Sequence, residues 1–101
     1  MEIMHSEGQH RFWTEIEGWM AYVDYQLTAN EGLDIRHTIV PEEIGGRGIA
    51  AALVKAAYDY GKSKGLKPIA TCSYALVWLK RHPEYHGKVG DDFGGEGTCA
   101  L

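Results

Sequence analysis

Between Val40-Pro41 and the alanine run at 50–52, the chain reads Glu42-Glu43-Ile44-Gly45-Gly46-Arg47-Gly48-Ile49, a pattern suited to holding an anion. Glycines at 45, 46 and 48 let the backbone turn tightly and approach a ligand, because no Cβ stands in the way. The first N–H groups of a helix that starts here have no intrahelical partners and point the same way. Together with the partial positive charge of the helix start and the guanidinium of Arg47, they favour a phosphate or pyrophosphate. Two well-known phosphate loops do not fit. The run lacks the Gly-Lys-Ser/Thr ending of a Walker loop, and its glycines do not follow the Gly-x-Gly-x-x-Gly spacing of dinucleotide folds.

The metal-ligating residue types are dispersed. Cys72 and Cys99 do not make a disulfide framework or a zinc site, and reduced thiols are expected. The histidines stand at 5, 10, 37, 82 and 86; His82 and His86 are four apart, but Pro83 between them breaks the helix that would align them. No metal site is expected.

The elements that must position the glycine turn are legible from periodicity. Residues 10–17 alternate loosely, Glu17-Gly18 marks a hairpin turn, and residues 19–27 are rich in aromatic and branched side chains. A second turn at Asn30-Glu31-Gly32 leads into a third strand over 33–40, completing an antiparallel three-strand meander. Trp19, Ala21, Val23, Tyr25 and Leu27 share one face and Met20 and Tyr22 the other, so both faces are expected to be partly covered. From Ile49 the period changes: Ile49, Ala52, Leu53, Ala56, Ala57 and Tyr60 form a helical stripe, which Gly65 ends. Residues 67–72 read as a strand, making a right-handed parallel crossover beside the meander. Residues 74–81 read as a short final helix, ended by His82-Pro83. The glycine-rich, acidic stretch from Gly87 is expected to be a flexible tail, over 88–101. The fold class is therefore α+β with a mixed sheet, in a single domain over 1–101.

The turn resembles the signature of the GCN5-related N-acetyltransferases, Gln/Arg-x-x-Gly-x-Gly/Ala at a strand-to-helix junction. The matching positions run from Gly45 to Ala50; Gly48 and Ala50 satisfy the pattern, and Gly45 stands where Gln or Arg is usual. The chain is most similar to the compact, single-motif branch of that family. Its marks are His37-Thr38 before Val40-Pro41, then Gly46-Arg47-Gly48-Ile49, Cys72-Ser73-Tyr74 and Arg81-His82-Pro83-Glu84-Tyr85. The resemblance spans about residues 9–87.

It implies an acetyl-CoA-dependent N-acetyltransferase. In that plan the third strand and the strand over 67–72 splay apart at their carboxyl ends, and the pantetheine arm enters the gap. Thr38, Ile39 and Val40 would supply its backbone partners. Gly45, Gly46, Arg47, Gly48, Ile49 and Ala50 would seat the pyrophosphate, with Ser73 a further coenzyme A contact. The thioester would lie near His37, Thr38 and Cys72.

Acetyl transfer to an amine needs a neutral nucleophile, close approach to the thioester and a proton source for the departing thiolate. His37 is the first candidate base, directly or through water. Cys72, at a strand end before a helix, is either an acyl-accepting thiol or a buried structural residue. The family's acid is a tyrosine on the last helix, but its position falls on Lys80 here, which leaves Tyr74 and Tyr85 as substitutes. The alternative function is a module that binds coenzyme A or acyl-CoA without turnover.

Composition narrows the remaining classes. With 101 residues, 45% hydrophobic and 24% charged, the chain fills one core. A net charge of −4 argues against nucleic-acid binding. No apolar run has membrane-span length and the first residues do not form a signal peptide, so a cytoplasmic location is expected. The acceptor is a small-molecule or peptide amine, and the oligomeric state is open.

Overall fold

The computed structural model describes residues 2–89, which form a six-stranded sheet in the order β1-β2-β3-β4-β5-β6 with two helices. The strands are β1 (Met4–Ser6), β2 (Arg11–Ile16), β3 (Trp19–Leu27) and β4 (Gly32–Ile39), followed by helix α1 (Ile49–Ser63), β5 (Lys67–Ala70), α2 (Ser73–Arg81) and β6 (Lys88–Val89). The first four strands pair antiparallel, and β5 and β6 add in parallel. Glu17 and Gly18, at φ 53° and 84°, close the β2–β3 hairpin; two consecutive left-handed residues carry the strand twist through a tight turn.

Both parallel connections step along the sheet in the same direction, so right-handed crossovers place α1 and α2 on one face. There Tyr58 of α1 meets Trp78 of α2, with ring centroids 5.8 Å apart. The core fills the space beneath them: Ala21, Val23 and Tyr25 from β3, Leu33 and Ile35 from β4, and Leu53, Val54 and Ala57 from α1. The buried stripe of α1 is Ile49, Leu53, Val54, Ala57, Tyr58 and Gly61; it shares Ile49, Leu53 and Ala57 with the stripe read from the sequence, while Ala52, Ala56 and Tyr60 are only half-buried at its edge. Tyr58 is fully buried, and its hydroxyl donates 2.7 Å to the Ile69 carbonyl of β5, tying helix to strand. Gly65, at φ 76°, ends the connection that follows α1, with its N–H bonded back to the Lys62 carbonyl.

The structure corrects the sequence reading in several places. The opposite sheet face carries no helix among the described residues; Met20 is 45% exposed there, so the two faces are unequally covered. β1 and β6 were not anticipated, because strands of three and two residues carry too little periodicity to register. β1 places ordered structure before residue 9, and β6 occupies the start of the expected flexible tail; the rest of that expectation, residues 90–101, lies outside the described residues. The strand expected over 67–72 ends at Ala70.

Candidate active site

Where β4 and β5 part defines the site. Their pairing stops at Ile35 opposite Ala70, and the next two N–H groups, of Thr71 and Cys72, both bond to the Ile35 carbonyl at 3.1 and 3.0 Å. β4 runs on to Ile39 with its β3 side still paired, Thr38 to Val23 and Ile39 to Tyr22. The cause is a register shift: Tyr25 faces Ile35 while Asp24 faces His37, leaving Arg36 as the extra residue of a bulge. A bulge bends its strand and increases its twist, which carries Thr38 and Ile39 away from the line of β5. On the other side of the gap the chain turns into α2 at Ser73, behind the N-cap residue Cys72.

The glycine turn closes the carboxyl end of this gap. A single 3-10 turn, Glu42–Ile44, is anchored by the buried Ile44. Gly46 and Gly48 then adopt φ 75° and 74°, a region that favours glycine, and Gly48 caps α1 without any side-chain hydrogen bond. The first intrahelical bond runs from the Ala52 N–H to the Gly48 carbonyl, so the amides of Ile49, Ala50 and Ala51 are the helix-start donors. Ile49 and Ala50 border a cleft of about 180 Å3 lined also by Val40, Ile44, the three glycines and Tyr74. Coenzyme A fits this donor set: helix-start amides match a pyrophosphate, and the β5-facing side of Thr38 and Ile39 matches an amide-bearing arm.

Arg47 is placed differently from expectation. Its guanidinium reaches across to the β2–β3 hairpin and donates to both carboxylate oxygens of Glu17, at 3.0 and 3.4 Å. That hydrogen bond and the charge beside it raise the arginine pKa and lower that of Glu17. A phosphate at the turn therefore competes with Glu17 for Arg47.

The four catalytic candidates separate into two groups. His37 is exposed, on the face away from the helices, one residue past the bulge. Cys72 is fully buried, with Sγ 3.3 Å from Thr38 Oγ1 in the gap. It is disulfide-bonded, which corrects the expectation of a reduced thiol; the one other cysteine in the sequence, Cys99, lies outside the described residues. In that state its sulfur is no nucleophile. Tyr74, half-buried in the first turn of α2, faces the glycine turn across the cleft; burial raises its pKa, against a smaller lowering by Arg81. Tyr85 is elsewhere. Its ring packs edge-on against Trp78 at 4.8 Å and its hydroxyl donates 2.7 Å to Asp59, ten residues into α1 and so roughly 15 Å along the helix from the glycine turn. It does not join the candidate site.

One residue the sequence reading passed over is Asp34. It is 4% exposed, in the middle of β4, with Oδ2 accepting from Thr71 Oγ1 at 2.8 Å and pairing with Arg36 at 3.4 Å. Its Oδ1 is buried without a hydrogen-bond partner. The signal was a carboxylate between Leu33 and Ile35 in an inner strand, where a buried charge is costly unless it has work to do. Among the described residues, no three His, Cys, Asp or Glu side chains come together as a metal site, and no helix is long and apolar enough to cross a membrane.

Comparison with known proteins agrees with this geometry. The family model described as GCN5-related N-acetyl-transferase matches residues 11–89. The human protein NATD1 is 32% identical over 85 residues, covering 82% of this chain and 75% of that one. NATD1 of Danio rerio is 33% identical over 89 residues, covering 84% and 81%. A GCN5-like protein from Staphylococcus aureus, solved by NMR in solution, superposes with a TM-score of 0.67 at 28% identity, covering 95% of this chain and 96% of its own.

Proposed function

This chain belongs to the GCN5-related N-acetyltransferase family, and from that premise we propose that it transfers an acetyl group from acetyl-CoA to an amine. The observation that carries the reading is the parting of β4 from β5 after Ile35 and Ala70, directly beside a glycine turn whose helix-start amides face a cleft. When bound there, acetyl-CoA supplies the electrophilic acyl carbon and a thiolate leaving group. The amides of Ile49 and Ala50 would hold the pyrophosphate, and the backbone of Thr38, Ile39 and Val40 the arm. The buried Thr38 and Cys72 side chains wall the gap and exclude water.

The proton traffic divides between the two faces. An amine must lose a proton to attack, and His37, exposed on the helix-free face just past the bulge, accepts it. The Asp34 carboxylate is the acceptor that holds an N–H of the amine. On the helix side, Tyr74 has a raised pKa from burial, stays protonated at neutral pH and donates to the departing sulfur. Calorimetry with acetyl-CoA and thioester consumption with a panel of amines test the reading together. Binding with consumption supports it; no acetyl-CoA binding at millimolar concentration refutes it.

A second reading, a module that binds coenzyme A without turnover, is favoured by the disulfide at Cys72 and by Gly45 standing in the Gln/Arg position. It is distinguished by binding without consumption in oxidised and reduced protein alike.

A further inference from the structure

On the helix-free face lies a second, larger cavity of about 820 Å3, at the amino-terminal ends of β4, β5 and β6. Asp34 sits in its wall with the unpartnered Oδ1, and Lys67 and Lys88, both exposed, stand at the opposite side. The register orders these groups. Asp34 faces Ile69 across β4–β5, and Ile69 faces Lys88 across β5–β6. Two strand spacings set Asp34 and Lys88 roughly 10 Å apart at Cα, with the aliphatic Ile69 between them. Lys67, two residues before Ile69 on the same strand, shares its face. The cavity wall thus runs carboxylate, hydrocarbon, ammonium.

Among the described residues, three cations, Arg36, Lys67 and Lys88, border this cavity against two carboxylates, Asp34 and Glu31, in a chain whose net charge is −4. Arg36 is already paired with Asp34 and fixes its carboxylate. The lysines are the groups left to meet a ligand anion. A diamine or a basic peptide would meet those lysines as like charges. We infer that the cavity takes a short aliphatic amine bearing a carboxylate or phosphate at its far end, with the amine at the Asp34 carboxylate, the chain over Ile69 and the anion at Lys67 and Lys88. As the acceptor of the transferase, this ligand class rests on the function proposed above; as the occupant of the cavity, it does not.

The test is an NMR shift titration of the free protein with four probes built on the same five-carbon chain: 5-aminopentanoate, pentanoate, 5-aminopentanamide and 1,5-diaminopentane. The expected result is that 5-aminopentanoate binds at least tenfold tighter than each of the others, with shifts around Asp34, Ile69 and Lys88. In Lys67→Gln/Lys88→Gln, two exposed positions where the fold is kept, its advantage over 5-aminopentanamide disappears. In Asp34→Asn its advantage over pentanoate disappears. Equal or tighter binding of the diamine, no binding of any probe, or an unchanged preference in the double lysine variant overturns the inference. Phosphoethanolamine against 3-aminopropanoate separates phosphate from carboxylate as the preferred anion. Thioester consumption is followed in parallel: binding of 5-aminopentanoate without consumption counts against the transferase and leaves the ligand class standing, whereas consumption with the diamine alone does the reverse.

Discussion

Replacing Gly48 by alanine separates the backbone role of the glycine turn from its role as a ligand seat. Gly48 has φ 74° and ψ 15°, and a Cβ built there meets nothing within 4 Å, so the substitution strains the backbone without a clash inside the protein. A left-handed conformation costs an L-residue about 1–2 kcal/mol. For a domain of this size each kcal/mol lowers Tm by about 4–8 °C. Gly65 is the internal control: it has φ 76° and equally open surroundings, but follows α1 at the far end from the turn. Gly65→Ala should lose about as much Tm as Gly48→Ala, measured by circular dichroism. Coenzyme A affinity should divide them. Gly48 lines the cleft, so its new methyl occupies space that a phosphate needs to reach the helix-start amides. Losing one hydrogen bond to a charged group costs about 1.5–3 kcal/mol, which is a Kd raised roughly 10- to 150-fold. Calorimetry should find that loss in Gly48→Ala and an unchanged Kd in Gly65→Ala. If both variants bind coenzyme A like the parent, the turn is not the phosphate seat and the reasoning fails.

Three further outcomes follow from particular contacts. Glu17→Gln should strengthen coenzyme A binding and Arg47→Ala weaken it, because Glu17 holds the guanidinium that a phosphate would otherwise take; identical affinities across a salt series would show Arg47 to be uninvolved. Tyr58→Phe should destabilise the fold by about 1–2 kcal/mol in urea unfolding, since the buried Ile69 carbonyl loses its hydroxyl donor; an unchanged midpoint would mean the bond is worth nothing net. His5, stacked on Phe12 at 4.0 Å and hydrogen-bonded to the Tyr25 hydroxyl at 2.6 Å, has its pKa lowered from 6.5, chiefly by burial and further by His10, against a raising effect of Glu7. The folded protein holds this proton less tightly than the unfolded chain, so the contribution is full above 6.5 and is lost as pH falls through the lower folded value. Thermal melts should show His5→Phe with a flatter loss of Tm below that point; parallel pH profiles would assign the acid sensitivity elsewhere.

Periodicity and turn chemistry made most of the fold readable. The hairpin at Glu17-Gly18, the stripe of α1 and the stop at Gly65 are local features, each decided by a few neighbouring residues. The glycine turn was readable for the same reason, since positive φ at Gly46 and Gly48 follows from residue type. The side chains around it were less so. Arg47 belongs by sequence to the turn and by structure to Glu17, thirty positions away, and nothing local signals that pair. Tyr74 and Tyr85 were equal candidates in the sequence, and the packing of Tyr85 onto Trp78 and Asp59 separates them.

What the sequence determined by itself is four of the six strands, both helices and the glycine turn between β4 and α1, because those depend on backbone conformations that single residues and short repeats enforce. Only the tertiary structure decided where β4 leaves β5, since a bulge at Arg36 exists only through the register with β3. It also decided that Asp34, a buried charge between Leu33 and Ile35, shares a cavity wall with Ile69 and with two lysines of neighbouring strands. Such a constellation is assembled across strands from residues up to 54 positions apart, from Asp34 to Lys88, and sequence periodicity carries no information over that distance.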